Sequence, residues 1–130
     1  MVYDTLGELP NNYKKSIIEA IDIITGCGQE YNIEINDLIL FGSCARLDIH
    51  VGSDIDIAIV SREPIVNRVF RGHIVGDAEF LSTKIPCDIA FMTEDIMRSK
   101  DKNRLRDNIR REGIYLMKGG LPTDEYKQLL

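Results

Sequence analysis

The chain has 130 residues, 44% of them hydrophobic and 28% charged, with 16 Lys/Arg against 21 Asp/Glu and a formal net charge of −5. That length suits a single domain, 1–130, able to bury roughly two-thirds of its unfolded surface, and the acidic balance argues against a general nucleic-acid binder. No apolar stretch reaches the ~18 residues of a membrane span, residues 1–10 lack the basic and apolar segments of a secretion signal, and Cys27, Cys44 and Cys87 form no metal-type pair, so reduced thiols in a cytoplasm are expected.

Asn11 or Asn12 is placed to cap a first helix, whose inward stripe is Tyr13, Ile17, Ile21 and Ile24, widened by Ile18 and Ala20. Gly26 or Gly28 is the expected stop. Residues 29–36 read as a connection, with room for a short strand at its start. Leu38 to Phe41 is a short apolar run between turn signals, so 37–41 is expected as a buried strand. Gly42-Ser43 follows. Glycine there permits a positive φ or a close backbone approach, and Ser43 is placed to cap a short helix, 43–47. After a loop at 50–53, residues 54–60 alternate strictly. Asp54, Asp56 and Ala58 face one way; Ile55, Ile57 and Ile59 face the other.

The segment 62–84 predicts a helix, opened by Pro64, with Ile65, Val69, Ile74 and Phe80-Leu81 inward. Gly72 and Gly76 each weaken it by about 1 kcal/mol relative to Ala. Residues 85–92 read as a third strand, with Pro86 near its start. Thr93 is a cap for a short helix, 94–97, and 103–112 reads as a basic helix with Leu105 and Ile109 inward, stopped by Gly113. Residues 114–117 are expected as a short strand or an extended tail, and 118–130 as a turn followed by a last helical turn. The segment 98–118 carries eight Lys/Arg against three Asp/Glu. Its ordinary reading is a solvated face, its functional one a contact for an acidic partner or for phosphates.

Asp88-Ile89-Ala90 repeats the phase of Asp56-Ile57-Ala58. If the two strands are neighbours, Asp88 joins Asp54 and Asp56 on one sheet face. Carboxylates so close repel unless a cation lies between them, and an all-oxygen set suits Mg²⁺. Next to it, Gly42-Ser43 at a helix start is a candidate phosphate cradle. Arg46 is a candidate phosphate partner, with a solvated helix charge as the other reading. Ser53 reads as a turn cap, Cys44 as a small buried residue, and His50 and His73 as surface residues. An EF-hand is excluded because Ile59 stands where its loop needs Gly, and no Walker loop follows Gly42.

Gly42-Ser43, ten residues, then Asp54-x-Asp56 resembles the nucleotidyltransferase superfamily that includes DNA polymerase beta. It is closer still to the stand-alone minimal nucleotidyltransferases, some of which act as antitoxins. The resemblance spans most of the chain, as far as Ile114-Tyr115-Leu116. It implies an α/β (α+β) fold with a small mixed sheet flanked by helices. It also implies ATP as substrate and two Mg²⁺ ions held by Asp54, Asp56 and Asp88, with Asp88 as general base and Gly42, Ser43 and Arg46 on the phosphates. Family members often have Ala-Arg-Gly where this chain has Ala45-Arg46-Leu47. The implied partner is an all-helical HEPN ribonuclease toxin whose hydroxyl receives AMP. A catalytically silent antitoxin and an antibiotic adenylyltransferase are the alternatives, and the oligomeric state is open.

Overall fold

The computed structural model describes residues 3–50 and 52–130. Met1 and Val2, in the segment 1–10 expected to lack a secretion signal, lie outside the described residues, as does Val51 in the loop expected at 50–53. A 3-10 turn, Leu6–Glu8, leads into helix α1, Asn11–Glu30. Then follow strand β1, Asp37–Phe41; helix α2, Gly42–Ala45; strand β2, Ile55–Ser61; and helix α3, Arg68–Glu79. Strand β3, Cys87–Thr93, helices α4, Glu94–Arg98, and α5, Arg104–Glu112, strands β4, Ile114–Lys118, and β5, Leu121–Pro122, and helix α6, Asp124–Lys127, complete the chain.

The strands form one mixed sheet in the order β3-β2-β1-β4-β5. β1 runs antiparallel to both β2 and β4, and β2 runs parallel to β3. A parallel pair cannot be joined by a hairpin, and α3 is the crossover between them. The alternation of β2 sorts its side chains cleanly. Ile55, Ile57 and Ile59 join Leu38 and Leu40 under the α1 stripe of Ile17, Ile21 and Ile24 and the α3 residues Phe70 and Ile74. Each such side chain contributes about 1.5–3 kcal/mol by leaving water. On the opposite sheet face Ala58 and Val60 pack with Ile39, Met92 and the α5 residue Ile109 in a smaller cluster. That second cover stops short of the start of β2, and the uncovered part of the face is where Asp56 and Asp88 lie.

Several local readings are corrected. α1 passes through Gly26 and Gly28 to Glu30, and Pro10, not an asparagine side chain, stands at its N-cap. Gly28 is there for packing: a Cβ would lie 3.1 Å from Ile35 Cδ1 and 3.2 Å from the Ile33 carbonyl. No short strand follows in 31–36. α3 starts at Arg68, not near Pro64, because the Asn67 side chain accepts from the Val69 and Phe70 N–H groups. That register buries Phe70 and leaves Val69 and Phe80 67% and 83% exposed, against the expectation that both point inward. Leu105 is likewise exposed, and its place under α5 is taken by Arg106. β2 and β3 each begin and end slightly later than expected, which leaves Asp54 just before β2.

Two arginines of the basic segment brace the fold, while seven of its eight Lys/Arg residues are exposed. Arg106 is buried and donates to the carbonyls of Ile96 and Asp101 and to Asp107 Oδ1. Arg110 donates to the carbonyls of Met97 and Ser99. Together they bind α5 to the loop after α4. Among the described residues no helix is long and apolar enough to cross a membrane.

Candidate active site

β1 ends directly above β2, with Phe41 paired to Asp56 in the ladder. The chain then turns at Gly42 with φ +75°. Two constraints demand glycine at this position. The φ lies in the left-handed region, and a Cβ would collide with Asp56 Oδ2. The backbone of the turn is thus in van der Waals contact with the carboxylate that the next strand presents. α2 is a single turn beginning at Gly42 itself, so Ser43 is its second residue and does not cap it, contrary to expectation. Ser43 is partly accessible, Cys44 and Ala45 are buried, and Arg46 points outward. Leu47 has φ +60°, a left-handed conformation in which glycine is at ease and leucine is strained.

β2 and β3 align Asp56 with Asp88 and Ala58 with Ala90. Both aspartates therefore stand side by side on one face, as their shared phase predicts. Asp54 precedes β2, and the neighbouring Ile55 N–H donates to the Pro86 carbonyl at 3.0 Å, which ties the start of β2 to the start of β3. Tyr13 Oη donates to the Ser53 carbonyl at 2.8 Å and Ser53 Oγ accepts from the His50 N–H, bracing the approach to Asp54. Asp54 and Asp56 are half-buried and Asp88 is exposed.

Burial, and then the charges of Asp88 and Asp54, push the Asp56 carboxyl up from 3.8 to about 6; Arg46 opposes the shift and Glu112 adds to it. Desolvation dominates, and two like charges follow it. Burial also pushes the Cys44 thiol up to about 12, and the Cys87 thiol is raised by the same cause. Both thiols stay protonated and are poor nucleophiles. Cys44 is a buried small residue, as expected. His50 and His73 lie at the surface and pair with Asp48 and Asp77.

One residue of the site has no forewarning in the sequence. Glu112, the last residue of α5, accepts from the Gly42 N–H through Oε1 at 3.0 Å and from Arg46 Nη1 through Oε2 at 2.9 Å. The partners are 70 and 66 residues away in sequence. The available signal was an acid in the last turn of a helix, where the macrodipole disfavours it.

Among the described residues no three carboxylate, imidazole or thiol groups are clustered tightly enough to hold a metal ion as they stand. Asp56 and Asp88 share one face of the sheet, and Asp54 lies just before β2. A cleft of about 510 Å³ lined by residues such as Ser61, Pro64 and Ile65 lies at the far end of β2 and contains none of these groups.

The family model described as a nucleotidyltransferase domain matches residues 21–116. Among solved structures, a mutant of the toxin-antitoxin MntA-HpeT superposes with a TM-score of 0.50 at 15% identity, covering 82% of this chain and 77% of that one. A toxin-antitoxin solved with AMP-PNP gives 0.50 at 21% identity, over 81% of this chain and 73% of that one. A Sulfolobus solfataricus protein described as a candidate nucleotidyltransferase gives 0.50 at 20%, over 86% and 91%. At these identities the likeness is one of fold. No curated protein matches the sequence.

Proposed function

The chain belongs to the nucleotidyltransferase domain family, and on that premise we propose that it is a Mg²⁺-dependent enzyme that moves AMP from ATP to a hydroxyl of a partner protein. The observation that carries this reading is the Asp56–Asp88 pair, aligned across a parallel ladder with the Cβ-less Gly42 pressed against Asp56. The donor set fits the metal. It is all oxygen, as Mg²⁺ prefers, and the Asp56 carboxyl is raised first by burial and then by the charges of Asp88 and Asp54, the second of which a divalent cation would relieve.

Asp54, Asp56 and Asp88 are the residues that would hold one or two ions. When bound, Mg²⁺ supplies charge neutralisation on the triphosphate oxygens. Gly42, whose missing Cβ lets the turn lie against Asp56, sets the turn from which Ser43 and Arg46 orient the β- and γ-phosphates. Asp88, the most accessible carboxylate, takes the proton of the attacking hydroxyl. The acceptor oxygen bonds to the α-phosphorus, the bond from that phosphorus to the bridging oxygen breaks, and pyrophosphate leaves. Most of the acceleration in such a site comes from positioning and electrostatics.

The whole chain, 1–130, is read as one nucleotidyltransferase domain, and the acceptor groove comes from the partner. Two structural neighbours are named as toxin-antitoxin proteins and one of them was solved with AMP-PNP. These names support a nucleotide substrate and a toxin partner; a helical HEPN-type toxin with a hydroxyl as acceptor is the form of that partner we propose. Three unpaired cysteines support a cytoplasmic setting.

Asp56→Asn tests the reading, because it removes a charge from the centre of the site with little change of shape. The intact protein, given ATP and Mg²⁺, is expected to add the mass of AMP to its partner, and the variant is expected to bind that partner without modifying it. Full neutralisation of the toxin by Asp56→Asn would make the protein a clasp. Transfer only to a small-molecule hydroxyl would make it an antibiotic-type adenylyltransferase.

A further inference from the structure

The Glu112 carboxylate meets the two ends of the α2 turn at once, accepting from the Gly42 N–H and from Arg46 Nη1. Its side chain is 13% exposed, whereas that of Arg46 is 53% exposed. The pair is therefore a sheltered anchor holding one side of an accessible guanidinium. α5 delivers the anchor with little freedom. Gly113, just past it, is pressed so closely on the Ile109 carbonyl and on Ile39 Cγ2 of β1 that a Cβ would collide with both. An acid at that end of a helix is disfavoured locally, so its benefit comes from α2.

Rests on the reading above, the following step concerns how the phosphate contacts are arranged. We propose that Glu112 is a positioning residue for triphosphate binding: it fixes the Arg46 guanidinium and closes the Gly42 turn without itself touching the nucleotide. The donor inventory supports this division. The Gly42 N–H carries one hydrogen, and Glu112 takes it. Arg46 carries five N–H groups in a rigid fork, and among the described residues its side chain makes one hydrogen bond, to Glu112. The other donors remain for phosphate oxygens, together with the Ser43 hydroxyl. Gly42 then makes room for Asp56 by lacking a Cβ, and its amide serves Glu112. Nothing in this arrangement has to break when a triphosphate arrives. A long arginine side chain already held on one edge loses less freedom on binding than a loose one.

The sign of the effect makes the proposal sharp. Removing a negative charge beside a polyanion site should, by Coulomb attraction alone, tighten binding. Loss of positioning weakens it. The experiment is calorimetry of ATP with Mg²⁺ on the full chain, for the parent, Glu112→Gln, Arg46→Ala and the double variant, with thermal melts as the folding control. Glutamine keeps an acceptor for the Gly42 N–H and loses the ion pair with Arg46. We expect Glu112→Gln to raise Kd by roughly three- to tenfold, the scale of ordering one long side chain, at an unchanged melting midpoint. In the Arg46→Ala background it should have no further effect.

Tighter binding by Glu112→Gln would make Glu112 a competitor for the phosphate donors and overturn the proposal. Additive weakening in the double variant would overturn it too, since Glu112 would then act independently of Arg46. Should Glu112→Gln not fold, Glu112→Asp reads the same coupling, because it keeps the charge and withdraws it by one methylene. Failure of both to fold would make Glu112 a structural brace only, against the proposal. A parent that binds no ATP removes the nucleotide reading itself, whereas a parent that binds with an indifferent Glu112→Gln removes this inference alone.

Discussion

Asp56 is held where an ionised carboxylate is least comfortable: half-buried, opposite Asp88 and near Asp54 and Glu112. Its pKa is higher in the fold, about 6, than the ordinary value of 3.8. The fold therefore favours the neutral acid, and that contribution to stability is complete below about pH 3.8 and lost as pH rises through about 6. In metal-free buffer, Asp56→Asn should melt higher than the parent at pH 7, by on the order of 1–3 kcal/mol after solvent screening. The advantage should shrink as pH falls through about 6 and vanish only below about 3.8, where the acid is neutral in both the folded and the unfolded chain. A pH-independent difference in the two melting curves would place the strain elsewhere. The pairing of Asp56 with Asp88 was legible because strand phase is a local property: Asp-x-Ala recurs at 56–58 and 88–90, and parallel register then aligns the two. Glu112 was not, because nothing within its own helix rewards it. Leu47 shows the same limit from the other side. Its positive φ is one that glycine adopts freely, yet the sequence shows only the leucine and not the angle.

At the scale of elements, the strands were read nearly to the residue, since apolar runs and turn signals bound them. Helix ends were read less well. Two glycines in α1 were taken as a stop, but tertiary contact carries the helix through both. They differ in what surrounds them. Nothing lies within 4 Å of a Cβ built on Gly26, whereas one on Gly28 presses on Ile35 and on the rigid Ile33 carbonyl. Gly26→Ala should stabilise by about 0.5–1 kcal/mol, from helix propensity and the entropy of the unfolded chain. Gly28→Ala should lose that gain to crowding. Urea midpoints of the two variants check the contrast, and equal gains would mean that the 31–36 segment yields freely. The start of α3 was misread for a related reason. Pro64 is an acceptable first helical residue anywhere, but the Asn67 side chain accepts from the helix N–H groups two and three residues later. The stronger cap fixed the register and so decided that Phe70, not Val69, enters the core.

For the whole molecule, the fold class and the mixed sheet came with the family resemblance, while the strand order and the short strand β5, in a segment expected as a turn, did not. β4 had been left between strand and tail, yet it is the inner neighbour of β1. That placement brings α5 across the sheet, and with it Glu112 onto a turn encoded 70 residues earlier. The consequence is one of timing. Residues that meet across so long a stretch of chain meet late, because closing large loops is entropically slow to be rewarded. A chain emerging from its N-terminus can pair β1 with β2, then add α3 and β3, before α5 exists to complete the phosphate side of the site. The protein would therefore become competent only when nearly all of it has been made. In refolding from urea, protection of β1 and β2 amides should precede protection of the Gly42 amide, as hydrogen-exchange pulse labelling would read. Simultaneous protection would mean that the site and the sheet form in one step.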